Sequence, residues 1–150
     1  ALYILIHPTC VTGMFTELEQ IEGNNYYRDW GYLQRESNPH PATGDNRGYM
    51  IAMDIATGDI LWRHGMPTRP RSAALTTAGG LVVGADTDRN LYAYDATDGE
   101  ILFQTRLPAS VQGFPISYAV NGRQYIAAPV GGNRSNAIYV FALPEKTAGP

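Results

Sequence analysis

A single cysteine, Cys10, stands in 150 residues, so no internal disulfide can form and no CxxC-type zinc site can be built. Two states remain open for it: an ordinary buried thiol, or a bond to a cysteine outside this sequence. Long apolar runs are also missing. Ala1 to Ile6 is among the longest, far short of the roughly 20 residues that span a bilayer, and no charged leader region precedes it. Basic charge is scarce: 11 Lys and Arg against 14 Asp and Glu give a formal net charge of −3, which points away from nucleic acid. Helical periodicity is weak throughout. His7, His40 and His64 are scattered, with no spacing that puts two on one face, which argues against a histidine metal centre or a histidine base. The chain opens at Ala1 already inside a strand-like run, which reads as a cut end.

What the sequence does have is a repeat. Ala52-Met53-Asp54-Ile55-Ala56-Thr57-Gly58-Asp59-Ile60-Leu61-Trp62 recurs as Ala93-Tyr94-Asp95-Ala96-Thr97-Asp98-Gly99-Glu100-Ile101-Leu102-Phe103, 41 residues later and without a gap. A period near 40 residues is the mark of propeller blades. Each copy reads as a hairpin. A β-rich run leads to a turn whose Asp caps backbone amides and whose Gly takes the left-handed position, and a second run ends on an aromatic ring. Asp54 and Asp95 are therefore expected to be turn caps; Asp86 is acidic but falls outside the repeat. Trp62 and Phe103 are expected to fill the gap between one twisted blade and the next. Ala78-Gly79-Gly80 joins two strands and is no phosphate loop.

Around these hairpins the strands fall into an all-β fold, a β-propeller of which the chain supplies about two and a half four-stranded antiparallel blades. Residues 1–6 and 48–64 make a partial blade. Residues 72–106 make a complete one, with Ser72 to Thr77 and Gly80 to Ala85 as its first strand pair. Residues 113–143 make a final partial blade, and 144–150 are a C-terminal tail. Ten strands in groups of three, four and three cannot close a ring, because closure takes roughly four to eight blades. The remaining blades must come from further sequence or from another chain. Residues 7–47 read as an insertion loop, with a helical turn or two expected over Phe15 to Glu22 and with Tyr26, Tyr27, Trp30 and Tyr32 close together. Loops of that length are usually functional or partly disordered; these aromatics either line a substrate mouth, contact a partner or pin the loop down.

Specific residues then carry a resemblance. Arg71-Ser72-Ala73-Ala74-Leu75-Thr76-Thr77-Ala78-Gly79-Gly80-Leu81-Val82-Val83-Gly84-Ala85-Asp86, followed by Ala93-Tyr94-Asp95-Ala96, closely resembles the penultimate blade of pyrroloquinoline-quinone (PQQ) dependent alcohol and sugar dehydrogenases. Ser110 to Tyr118, Asn121 to Ala128 and Gly131-Gly132 resemble the last blade of the same enzymes. The likeness covers most of residues 48 to 143 and extends more weakly to Leu2–Cys10. It implies an eight-bladed, periplasmic propeller that holds PQQ beside a calcium or lanthanide ion. Such an enzyme oxidises a small alcohol or sugar and passes electrons to a cytochrome or a quinone. It also implies that the general base and the metal ligands lie on earlier blades, so no catalytic base and no metal ligand is assigned here.

Cofactor contacts are expected where the innermost strand begins and where the loop after the second strand returns. Arg71 and Ser72 meet the first condition: a guanidinium can grip a carboxylate bidentately and a hydroxyl can add one bond. Gly131, Gly132 and Asn133 meet the second, with glycines that permit close backbone approach and an amide that both donates and accepts. In alcohol-type members a Trp stands near each place, where this sequence has Arg71 and Asn133. The other reading open to a propeller of this kind is a non-catalytic scaffold for protein binding.

Overall fold

The computed structural model describes residues 1–13, 19–20, 22–23, 27–28, 35–132 and 136–143. In chain order its strands are β1 (Leu2–Ile6), β2 (Thr9–Gly13), β3 (Glu19–Gln20), β4 (Tyr27–Arg28), β5 (Arg35–Pro39), β6 (Gly48–Met53) and β7 (Ile60–Met66). Then follow β8 (Leu75–Thr76), β9 (Leu81–Ala85), β10 (Asn90–Asp95), β11 (Ile101–Arg106), β12 (Ile116–Val120), β13 (Arg123–Val130) and β14 (Ala137–Ala142). The chain divides into two compact units, Ala1–His7 with Asn46–Pro150, and Pro8–Asp45. No helix among the described residues is long and apolar enough to cross a membrane.

The larger unit holds three antiparallel sheets with strand orders β1-β6-β7, β11-β10-β9-β8 and β12-β13-β14. This is the grouping of three, four and three that the repeat dictates. Alternation along each strand assigns its residues to one neighbour or the other. On β10, Tyr92 and Tyr94 pack with Met50, Ala52, Trp62 and Met66 of the first sheet. Leu91 and Ala93, on the opposite face, pack with Ala128 and Val130 of the third. The middle blade is thus buried on both sides, and each fully buried side chain such as Met50 or Tyr94 contributes about 1.5–3 kcal/mol.

The two repeat turns are built alike. Asp54 Oδ1 accepts from the backbone N–H of Ala56 (2.7 Å) and Thr57 (3.2 Å), and Asp95 Oδ1 accepts from Thr97 N–H (2.7 Å). Gly58 and Gly99 take the left-handed conformation at φ 79° and 78°, which costs a side-chain-bearing residue strain. The aspartates are turn caps, as their recurrence requires. Trp62 lies flat on the second turn: its Nε1 donates to Ala96 O (3.0 Å) and its ring pairs with Tyr94 at 6.2 Å. Phe103 meets Phe141 at 6.1 Å. The pairings Leu91↔Ala85 and Ile138↔Pro129 make Phe141 the counterpart of Tyr94, so the two rings do occupy one place in successive blades.

Three expectations need correction. The first strand of the complete blade is Leu75–Thr76 rather than Ser72 to Thr77. Ser72 Oγ accepts from Ala85 N–H (2.7 Å) in place of a backbone carbonyl, and the freed backbone turns to the next blade, where Ala73 N–H donates to Gly113 O (3.2 Å). Residues 7–47 are not simply a loop: β2 pairs with β5 and β3 with β4, and a short 3₁₀ turn, Pro41–Thr43, is capped by His40 Nδ1 accepting from Ala42 N–H. Glu19 and Gln20 are strand residues and Glu22 lies in a turn, so none of the three is helical; the other residues of the expected helical turn, and Tyr26, Trp30 and Tyr32, lie outside the described residues. Cys10 is exposed, not buried. It sits on β2, opposite Asn38 of β5.

Candidate cofactor site

Structural equivalence between blades relates two residues of the candidate site. Arg71 N–H donates to Ala85 O and Gln112 N–H donates to Pro129 O. Arg71 and Gln112 are 41 residues apart, so they hold the same place at the head of successive innermost strands. Their side chains meet: Gln112 Oε1 accepts from Arg71 Nε (3.2 Å) and Nη2 (3.1 Å). The other end of the Gln112 amide, Nε2, donates to Gly131 O (3.4 Å). One glutamine thereby fixes both a guanidinium and a glycine loop, with its oxygen and nitrogen ends assigned by their partners.

These groups line an open concavity of about 670 Å³, completed by Pro129, Val130, Gly132, Asn136, Ala137 and Ile138. At Gly131 a Cβ would stand 2.8 Å from Asn136 Oδ1, so the amide of Asn136 already occupies the space that the missing side chain leaves. At Gly132 nothing among the described residues lies within 4 Å of that position.

Of the residues singled out in the sequence, Arg71, Gly131 and Gly132 line this concavity. Ser72 does not; its Oγ is committed to Ala85 N–H. Asn133 lies outside the described residues. Gln112 and Asn136 were missed. Gln112 was legible in principle, since it is Arg71 displaced by one repeat, whereas Asn136 has no counterpart in the repeat.

The donor set suits an anionic, planar ligand. Gln112 takes Nε and one Nη2 hydrogen of Arg71, which leaves the outer Nη1–Nη2 edge for a carboxylate. No group of three or more His, Cys, Asp and Glu that could hold a metal ion occurs among the described residues. Asp86, on the loop after β9, is 1% exposed and fully engaged within its own blade. It accepts from Asn90 N–H (2.9 Å), Asn90 Nδ2 (3.0 Å) and Tyr92 Oη (2.9 Å).

A family profile described as PQQ: Glucose/ethanol/alcohol dehydrogenase, beta-propeller domain, matches residues 46–126. The quinoprotein glucose dehydrogenase of Gluconobacter oxydans (strain 621H) is 33% identical, over 66% of this chain and 16% of its own length. The 1-butanol dehydrogenase (cytochrome c) of Thauera butanivorans is 32% identical, over 75% of this chain and 18% of its own. A europium-containing methanol dehydrogenase superposes with a TM-score of 0.71 at 24% identity, covering 86% of this chain and 22% of that one. The chain spans about a sixth of the length of these curated relatives.

Proposed function

The chain belongs to the family of PQQ glucose, ethanol and alcohol dehydrogenase beta-propeller domains, and on that premise we propose that it is part of a quinoprotein dehydrogenase that oxidises an alcohol or sugar hydroxyl. Its blades complete the propeller and one side of the cofactor pocket. The observation that carries this reading is the lock of Arg71, Gln112 and Gly131 around an open concavity.

Bound PQQ supplies a two-electron acceptor for the substrate carbon. The residues of this chain hold and orient it. Arg71 presents its outer edge to a carboxylate, and the fixed Gln112 removes most of the rotamer freedom that a lone surface arginine loses on binding. Gly132 offers unhindered backbone and Gly131 keeps room for Asn136; Asn133, next in sequence, is proposed to add an amide contact. Ser72 acts at one remove, by tying the head of the innermost strand to β9. The calcium or lanthanide ion takes its ligands from other blades, as does the base. Electrons leave to a cytochrome c or a quinone, and the protein works in the periplasm.

Other blades also meet the outward face of the third sheet, where Ile116, Tyr118, Val120, Ile138 and Val140 stand exposed. An apolar face of this kind marks an interaction surface.

The test uses the complete protein that carries these blades. Supplied with PQQ and calcium or a lanthanide, it is expected to reduce a dye at the expense of an alcohol or sugar. Arg71→Ala is expected to weaken PQQ retention about tenfold, the scale of one charge-assisted hydrogen-bond pair. Failure to take up PQQ with any of these metals overturns the reading.

A further inference from the structure

A second cationic cluster lies where three backbone segments converge at Gly48. A Cβ on Gly48 would collide with the ring of Pro70 and would stand 3.0 Å from Ile6 O. Only glycine lets these segments touch. The contact brings together the residues beside it: His7 after Ile6, Arg47 before Gly48, and Arg69 before Pro70.

The backbones of the two arginines are pinned. Arg47 N–H donates to Met66 O (2.9 Å), and Arg69 O accepts from Thr87 N–H (2.8 Å). Both side chains are exposed and His7 is half-buried. Their proximity registers in the imidazole, whose pKa is held below its ordinary value by burial first and then by the charges of Arg69 and Arg47.

Among the described residues no carboxylate pairs with either arginine; the ion pair found there joins Arg106 to Asp88. The carboxylate that the register puts beside Pro70 is Asp86. Its oxygens are turned inward to Asn90 and Tyr92, so it does not cap the cluster. Two guanidiniums and an imidazole held together, with no counter-charge among the described residues, form a site that an oxyanion neutralises, since arginine forks match carboxylate and phosphate oxygens.

We propose that His7, Arg47 and Arg69 form a binding site for a doubly charged oxyanion, a dicarboxylate or a phosphate group, separate from the Arg71 concavity. The site does not depend on quinone binding. The complete protein, without added PQQ, is titrated by calorimetry with inorganic phosphate in one arm and malonate in the other, against chloride at matched ionic strength. Saturable binding of at least one of the two is expected, and the arm that responds identifies the group. Arg47→Gln and Arg69→Gln should each weaken it at least about tenfold, the loss of a charge-assisted contact. Arg106→Gln, at an arginine already paired with Asp88, should leave it unchanged. Both arginines are exposed, and circular dichroism verifies that the variants keep their fold. No saturable binding, equal binding in Arg47→Gln and Arg69→Gln, or binding lost only in Arg106→Gln overturns the proposal.

Discussion

Tyr92 and Tyr94 stand two residues apart on one face of β10, 5.7 Å between ring centroids and nearly parallel, yet their hydroxyls have opposite fates. Tyr92 Oη donates to the buried carboxylate of Asp86 (2.9 Å). Tyr94 Oη is buried with no partner among the described residues. Removing a satisfied buried hydroxyl costs stability, whereas removing an unsatisfied one relieves a desolvation penalty. Tyr92→Phe should therefore lose about 1–2 kcal/mol, while Tyr94→Phe should be neutral or gain up to about 1 kcal/mol. Urea denaturation of the two variants reads the difference, and equal losses would refute the assignment of partners.

Within elements, the repeat allows one substitution to be compared at two equivalent positions. Gly58 and Gly99 share a left-handed φ, but a Cβ at Gly58 meets open space and one at Gly99 stands 2.6 Å from Trp62 Cε3. Gly58→Ala carries only the backbone strain, about 1 kcal/mol. Gly99→Ala must also displace the indole, which is 8% exposed, and should cost about 1–3 kcal/mol more, as overpacked cores do. Thermal melts of the pair test this, and equal costs would mean that the indole does not bear on the turn. The repeat also explains which elements were legible in the sequence. The hairpins could be read because Asp caps, left-handed glycines and period-2 burial are local signals. The head of β8 could not, because Ser72 exchanges its backbone pairing for a side-chain bond, and that choice depends on Ala85 and Gly113 being nearby in space. Two strands of the inserted unit were missed because β3 and β4 are two residues each, too short to show a period.

For the whole molecule, the buried phenols set how stability responds to alkali. Burial raises the pKa of Tyr92, with Asp86 adding to the shift, and burial raises that of Tyr94, with the charges of its neighbours adding. Both folded values lie above the unfolded value near 10. The contribution is complete below pH 10 and is lost as the pH climbs from there toward the folded values, because only the unfolded chain ionises in that interval. Unfolding free energy should thus fall with pH above about 10, and Tyr92→Phe should flatten the fall; a slope that this substitution leaves unchanged would contradict the linkage. Of the candidate site, the guanidinium and the glycine pair were visible as residue types. The repeat marks Gln112 as the equivalent of Arg71, but its bond to that arginine crosses from one blade to the next and so depends on how the blades pack.

The indole of Trp62, laid on the turn at Gly99, gives the stack a direction in time as well as in space. Trp62 leaves the ribosome 37 residues before that glycine, so the receiving surface is made after the group it receives. The second hairpin is therefore offered an anchor already in place on the blade before it, and assembly there can advance with the growing chain.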